Sequence, residues 1–569
     1  MTTLIQKLKE ACTTESAIEG FTFVDRKENA THYPFAAVWK RTRKAAAFLQ
    51  SMGIQKGDSV AILLPTCIEF MDIFLGAQFI GAIPVPLYPP MRLGKLDEYF
   101  DKTASMLEAA NVKLIVTNPR IKRILGQLVQ RYAPRHGIII ASDLQKGENP
   151  TPVSLSPDDI AMAQFSSGTT QNPKPVALTH RQTLSNVVAI YQTFPDSLHH
   201  KTGCSWLPLY HDMGLIGCIF PAISIPGRIV LISPEIFLAK PSIWLRTISK
   251  YKAFISPAPN FAYSLCTERI KESELDGVDL SCWKMALNGA EPVAPEHLRK
   301  FIERFQKYGF AKEAITPVYG LAEASLALTF SRSDALFTSH HFDRDQLAQG
   351  TAVQGRTKHS VELASVGKPL SGFFIEIRDQ RNRALPNGKV GTIWAKGPSL
   401  TSGYLNNLPS PILNGWLNTG DIGFFFDEEL FISGREKDVL VIRGQNHSPY
   451  DIEHAVDSVS GVRTGCSVAV SHISEEGERL FVFVEYRTSY PAMAEDCKKA
   501  IVAKTGICPD LVLLLEGGTL PRTSSGKLRR NQTLQKYLAN QLIPPKKVNS
   551  LLIAGALAKS ALGYLRARR

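Results

Sequence analysis

Residues 57–90 read GDSVAILLPTCIEFMDIFLGAQFIGAIPVPLYPP. A short apolar strand, the apolar run 68–80 and a second strand follow one another, and that order makes a right-handed parallel unit. Upstream, from Tyr33 to Met52, apolar residues fall at helical intervals, and Gly53 closes the segment as a C-cap. Further apolar strands are expected at 112–116, 138–141, 228–232 and 254–257, with helical stretches between them. The chain to about residue 400 therefore predicts a large α/β body.

Residues 331–365 break that texture with polar, histidine-containing sequence, expected to be an inserted surface arm. Beyond it, GFFIEIRD, KVGTIWAKG and ELFISGR predict antiparallel strands separated by Pro-Asn-Gly and Asp-Glu-Glu turns. A boundary near Arg435 divides an N-terminal body, 1–434, from a small α+β domain, 435–569. The small domain should hold strands at CSVAVS and LFVFVEYR and a helix over 494–505. Its tail, 546–569, has no acidic residue. A basic amphipathic helix there could meet a membrane surface or a partner, although a terminal helix that caps the small domain or frays is favoured.

With 569 residues the chain exceeds one core, which usually stops growing at roughly 250–300 residues, so at least two domains are expected. A net charge of +13 points to an anionic substrate, acidic partner or membrane surface. Nucleic acid is disfavoured, because no RNP, finger or basic-helix pattern accompanies the charge. Nine scattered cysteines without a C-x-x-C pair suit reduced thiols in a cytoplasmic enzyme. The N-terminus lacks an apolar signal core, and no apolar run approaches a membrane span.

The chemistry is carried by residues 164–180, QFSSGTTQNPKPVALTH. Ser166, Ser167, Gly168, Thr169 and Thr170 could turn successive N–H groups and hydroxyls onto a polyphosphate, within reach of Lys174. A solvated Ser/Thr/Gly turn has the same composition, and the spacing is not that of a Walker loop. Neither histidine pair, His199-His200 or His340-His341, reads as a chelate, since adjacent side chains point apart.

Six further strings stand in a fixed order: LPLYHDMGLIG from Leu207, NGAEPV from Asn288, VYGLAEAS from Val318, LNTGDIGFF from Leu417, GREKDVLVIRGQNHSPYDIE from Gly434, and LPRTSSGKLRR from Leu520. Together with the Ser/Gly/Thr loop they resemble the adenylate-forming superfamily of acyl-CoA synthetases, adenylation domains and luciferases, across about Asp25 to Arg530. VPLYPPMRLGKL, YGLAEAS and the polar arm before SVGKPL are most similar to the fatty acyl-AMP ligases. That resemblance implies parallel sheets with helices, a small β-barrel-like subdomain and a mobile α+β C-terminal domain. It also implies ATP- and Mg²⁺-dependent conversion of a long-chain fatty acid to acyl-AMP, with release of pyrophosphate. The acyl group would then pass to a carrier-protein phosphopantetheine, or to a polyketide or peptide synthase, in trans. The arm is thought in such ligases to hinder the domain rotation that coenzyme A chemistry needs.

Carried over residue by residue, the resemblance makes Lys527 the adenylation lysine and Lys437 the hinge. His211 would stand near the acyl-phosphate junction, and Glu323 with Thr170 would place Mg²⁺. Asn288, Gly289, Ala290, Glu291 and Pro292 would line the adenine, with Tyr319 stacked on it and Gly320, Leu321 and Ala322 beside it. Asp421 would take the ribose hydroxyls and Arg435 hold the ribose from the other side. Met213, Ile216, Phe220 and Phe261 would wall an acyl tunnel. Two residues depart from the pattern: Gln171 stands where glycine or arginine is common, and Pro175, which replaces a glycine, removes a backbone N–H. A fatty acyl-CoA synthetase, a catalytically idle nucleotide- or carrier-binding relative, and an enzyme for an aryl or amino acid are the alternatives.

Overall fold

The computed structural model describes residues 2–13, 19–90, 96–166, 173–194, 202–357, 359–442, 445–474, 477–523, 527–545 and 550–567. The opening unit forms as its pattern predicts. Strand Ser59–Leu63 leads through helix Ile68–Phe79 to Ile83–Pro86, and the two strands pair in parallel. Val112–Thr117 and Ile138–Ile140 extend this four-stranded sheet. Helix Ile68–Phe79 is buried on nearly every residue, which explains a run with no polar stripe.

A nine-stranded sheet forms the centre of the body. Gly20–Val24, Arg228–Ile232, Thr202–Ser205, Ile255–Ala258, Met285–Asn288 and Ile315–Gly320 run parallel, and antiparallel strands close both edges. Parallel strands aim their carboxyl ends at one rim, the ordinary place for a ligand crevice in such sheets. Ile160–Phe165 and Pro175–Thr179 form a hairpin beside that rim, closed by the Ser166 amide donating to the Lys174 carbonyl at 3.1 Å. A five-stranded antiparallel sheet built on Trp416–Phe426 completes the body.

Beyond Arg435, Val462–Ser474, Gly477–Tyr486 and Leu511–Glu516 form a three-stranded sheet, covered by helices Pro449–Asp457, Met493–Thr505 and Arg530–Leu538. Helix Met493–Thr505 ends on Gly506 at φ 73°, a left-handed cap that a Cβ would penalise. Among the described residues no helix is long and apolar enough to cross a membrane.

Two expectations are corrected. The arm is more ordered than its polar texture suggests. Ser339–Asp343 pairs with Ser360–Ala364, and Phe342 is fully buried among Phe424, Phe426 and Phe431. Ala352, Leu347 and Leu363 pack into the same cluster, and Arg299 of the body pairs with Glu362 of the arm. The tail does not cap the small domain either. Helix Ser550–Ala567 lies on the large body, against helix Gly126–Arg131.

Candidate active site

A cavity of about 320 Å³ opens at the carboxyl rim of the central sheet and continues down beside the sheet. Its upper part is charged. Asp421 and Arg435 face one another across the paired strands Trp416–Phe426 and Glu429–Arg435. Arg435 Nε donates to Asp421 Oδ1 at 2.7 Å, and the Tyr319 hydroxyl donates to Oδ2 at 2.7 Å. A carboxylate offers about four lone-pair sites, so Asp421 keeps acceptors for two more hydroxyls. Asp421 holds Arg435 above the ordinary guanidinium range, and burial does the same for the Tyr319 phenol. Gly320 is required beside Tyr319, because a Cβ there would lie 1.7 Å from the Leu326 carbonyl oxygen.

Gly320, Leu321, Ala322 and Ala290 also line the cavity. Asn288 ends its strand fully buried, and neither of its amide atoms finds a hydrogen-bond partner among the described residues. Such an orphan donor and acceptor pair is costly unless a ligand completes it, and an adenine edge offers both functions. Gly289 packs against Val318. Of the five residues expected to line the adenine only Ala290 borders the cavity; Asn288 and Gly289 lie behind its wall, Glu291 is half-buried and Pro292 exposed. Burial raises the Glu291 carboxyl to about 6, while the Phe261 amide, Lys527 and Arg522 pull against the rise.

Lys527 reaches the same cavity from the small domain. Its loop is tied by the Lys527 amide donating to Thr523 Oγ1 at 3.0 Å and by the Arg529 amide donating to the Pro521 carbonyl at 3.0 Å. Next to it, Arg530 is buried, bonding Glu453 at 2.7 and 2.8 Å and Asp438 at 2.8 Å. Burial and Arg435 push the Lys527 ammonium below the lysine range, against the pull of Asp212, Asp421 and Glu291. Burial alone would raise Asp212, yet His211 and Lys527 outweigh it and hold that carboxyl below its usual range. His211 Nδ1 stands 2.7 Å from Asp212 Oδ1. The Met213 amide is 3.3 Å from that nitrogen but 2.7 Å from Asp212 Oδ1, so Nδ1 is best read as donor and the carboxylate as acceptor of both.

Glu323 completes the charged part. Burial raises its carboxyl, and Asp212 and Asp421 add to the rise against Arg435. Its turn is strained at Ser325, φ 67° and ψ −56°, whose buried hydroxyl donates to the Ser399 carbonyl at 2.8 Å. Tyr404 hydrogen-bonds Glu323, and the Lys174 ammonium sits 4.9 Å from the Tyr404 ring centre. Nothing in the sequence singled out Tyr404. Ser166 and Lys437 also border the cavity, whereas Ser167, Gly168, Thr169 and Thr170 lie outside the described residues. Among the described residues no three potential ligands cluster as a metal cage. A single desolvated carboxylate such as Glu323 nonetheless fits Mg²⁺, which is usually held by one or two carboxylates and the substrate's own oxygens.

The lower part is apolar, and here the predicted wall is largely wrong. Met213 lines it, but Ile216 and Phe220 are fully buried in the neighbouring core, and Phe261 is 37% exposed beside Trp206. The cause is a π-turn over Leu215–Ile219. Its extra residue delays the helical phase by one position, so Gly217, Cys218, Pro221, Ala222 and Ile225 face the cavity instead. Their small size leaves a channel toward Phe194, Phe254 and Arg228.

Residues 15–405 match the AMP-binding enzyme profile, and residues 437–546 match the Disco-interacting protein 2-like AMP domain. The long-chain-fatty-acid--AMP ligase FadD26 of Mycobacterium bovis is 31% identical over 93% of this chain and 96% of its own. A solved structure from a study of fatty acyl-adenylate ligases of E. coli and L. pneumophila superposes with a TM-score of 0.88 at 31% identity, covering 95% of this chain and 98% of that one. The chain belongs to the fatty acyl-AMP ligase branch of the AMP-binding enzymes. The likeness is not confined to fatty-acid names. A 4-hydroxyphenylalkanoate adenylyltransferase of Mycobacterium marinum is 30% identical over 94% of this ligase and 91% of its own length.

Among the described residues three polar junctions join the two lobes of the ligase. Glu268 accepts from Arg487 and Thr464, each at 2.8 Å. Glu98 accepts from Lys536 at 2.8 Å and Gln532 at 3.3 Å. Arg344 of the arm pairs with Asp451 at 3.2 Å and donates to the Lys504 carbonyl.

Proposed function

We propose that this ligase activates a long-chain fatty acid with ATP and Mg²⁺, releasing pyrophosphate, and passes the acyl group to a carrier-protein phosphopantetheine. The carrying observation is one continuous cavity, apolar below and charged above, with Lys527 at the junction. A fatty acid needs both halves: a dry channel for its chain and a cation where its carboxylate meets another anion.

Carboxylate attack on the α-phosphorus gathers negative charge, so catalysis here is charge neutralisation and in-line positioning. Lys527 supplies the cation and is held near the junction by Asp212 and Asp421. Asp421 takes the ribose hydroxyls while Arg435 and Tyr319 fix its orientation. Asn288 reads the adenine edge. Ser166 and Lys174, with Ser167–Thr170, hold the outer phosphates. Glu323 with Thr170 would hold Mg²⁺, which when bound offsets phosphate charge. His211, its Nδ1 engaged by Asp212, turns Nε2 to the acyl-phosphate junction. Lys437 acts as the hinge, next to Asp438, which Arg530 ties to the small domain.

The arm disfavours coenzyme A use by holding the small domain through Arg344, Asp451 and Lys504. The acceptor is a separate acidic carrier in the cytoplasm, attracted by the +13 charge, so its binding should weaken with salt. Incubation with ATP and fatty acids of graded length, followed by mass detection, should show acyl-AMP and pyrophosphate with little acyl-CoA. Lys527→Ala should lower both products about 10²–10³-fold. Efficient acyl-CoA formation would instead identify an acyl-CoA synthetase, and absence of turnover a binding protein.

A further inference from the structure

The C-terminal helix Ser550–Ala567 is attached to the body by its smallest residues. The Gly126 amide donates to Ser560 Oγ at 2.8 Å, and the Tyr564 hydroxyl donates to the Lys122 carbonyl at 2.7 Å. The backbones approach so closely that a Cβ on Gly126 would lie 1.8 Å from the Ser560 carbonyl oxygen, and one on Gly563 2.4 Å from Gly126. Ser560 and Gly563 are buried, and Ala556 and Tyr564 half-buried. At 3.6 residues per turn this contact uses one side of the helix.

The opposite side is apolar and uncovered. Ala554, Ala558 and Ala561 are exposed there, as are Leu562 at 54% and Leu565 at 61%. Lys559 and Arg566, both exposed, follow one edge of that face. On the bed beneath, Arg120 and Arg123 are exposed as well. Neither residues 119–131 nor residues 546–569 contain an aspartate or glutamate. A helix held only for packing would turn its leucines inward; this one turns Leu562 and Leu565 out, with Lys559 and Arg566 beside them, and the acids nearest the bed, Asp97 and Asp101, are engaged by Arg131.

We propose that this helix, with the basic bed under it, is an interfacial anchor that lays the protein on an anionic lipid bilayer. The chemistry is that of a helix lying in the headgroup plane: leucines enter the acyl boundary while lysine and arginine meet lipid phosphates. No membrane crossing is involved, since no described helix is long and apolar enough for it. The close docking through Gly126 and Gly563 fixes which face the helix presents. The inference stands apart from the catalytic reading, because attachment to lipid needs neither ATP nor Lys527.

Full-length protein should be sedimented with vesicles of phosphatidylcholine alone and of phosphatidylcholine with phosphatidylglycerol. The expected result is binding to the anionic vesicles at low salt and little binding to the neutral ones. Leu562→Glu with Leu565→Glu should weaken it about tenfold or more, and Lys559→Glu with Arg566→Glu should do the same. Unchanged melting temperature in these surface variants checks that they fold. No sedimentation with anionic vesicles, or binding indifferent to both double variants, overturns the proposal. So does a concentration-dependent dimer, or capture of an acidic carrier protein, that the leucine variants abolish without any vesicle binding by the parent chain, since a second copy or the carrier would then be the occupant.

Discussion

The floor of the cleft and the lobe that closes it are held by different kinds of force. On the floor, Asp421 is 4% exposed and bonded from two sides, Glu323 is desolvated against Tyr404, and Ser325 is locked in a strained turn. Each group is fixed by partners in the same rigid sheet system. The closing lobe meets the body through Glu268, Glu98 and Arg344, junctions made of long side chains, the first two of them near solvent. Surface pairs of this kind contribute a median of about 0–1 kcal/mol each. The floor is thus built to stay and the lid to leave, and an enzyme that admits substrates and releases an adenylate needs both.

The sharpest way to break the comparison is to remove Lys527, the lid group proposed to act at the floor. Lys527→Ala should lower adenylate formation about 10²–10³-fold, the usual loss for one preorganised charge stabiliser. Melting temperature should move little, because the loop is held by backbone bonds around Thr523 and by Arg530. Pyrophosphate release against a melting curve checks both. A loss of fold instead would mean that lid and floor are not separable. On the floor the pattern reverses. Asp421→Asn leaves Arg435 without its charge partner and should cost about 1.5–3 kcal/mol of stability along with nucleotide affinity. Calorimetry and nucleotide titration would show the two falling together.

Asn288 sharpens the same contrast. It is fully buried at the end of a central strand, next to the cavity residue Ala290, and no partner among the described residues satisfies its amide. Asn288→Leu, similar in size and without orphaned polar atoms, should keep or raise the melting temperature while weakening ATP by about tenfold. A variant that loses stability would show that the amide is paired within the protein.

What the sequence made legible follows from the range of the interactions. Parallel strands, helix Ile68–Phe79 and the strand ending on Arg435 were readable, because periodicity and turn chemistry are local, whereas the strand Trp416–Phe426 that carries Asp421 was not expected. The ordered motifs led to most of the charged cleft. The acyl wall was misread because a π-turn leaves no mark in hydrophobic periodicity, and one extra residue rotated Ile216 and Phe220 into the core. Tyr404 was missed because it follows Gly403 in an otherwise plain stretch, and only the pairing of Gly403–Tyr404 with Pro175–Thr179 brings it to Glu323. The tail was misassigned to the small domain because a helix carries its packing face in its sequence but not the address of its partner.

Smaller effects are expected at the junctions. Arg344→Ala removes the arm's hold on Asp451, whose partners are more buried than those of the other junctions. A gain of the open lobe by about 1 kcal/mol is a roughly fivefold shift in population. Acyl-CoA formation should therefore rise by about that factor while adenylate formation changes less than twofold. No rise in thioester would assign the low coenzyme A use to something other than rotation.

Glu268→Gln should act least. It weakens only the junction with Arg487 and Thr464, where the Arg487 and Glu268 side chains stand 41% and 34% exposed. A difference of about 0.2–1 kcal/mol in lobe closure is expected at low salt. It should vanish near 1 M salt, where the screening length falls to about 3 Å. The Arg344→Ala difference should survive that salt in part, because its backbone bond to Lys504 and its burial screen poorly. If both differences vanish together, the arm is only another surface contact, and the grip on the small domain has to be sought in the packing of His297 against His454, whose rings stand 5.0 Å apart across the same boundary.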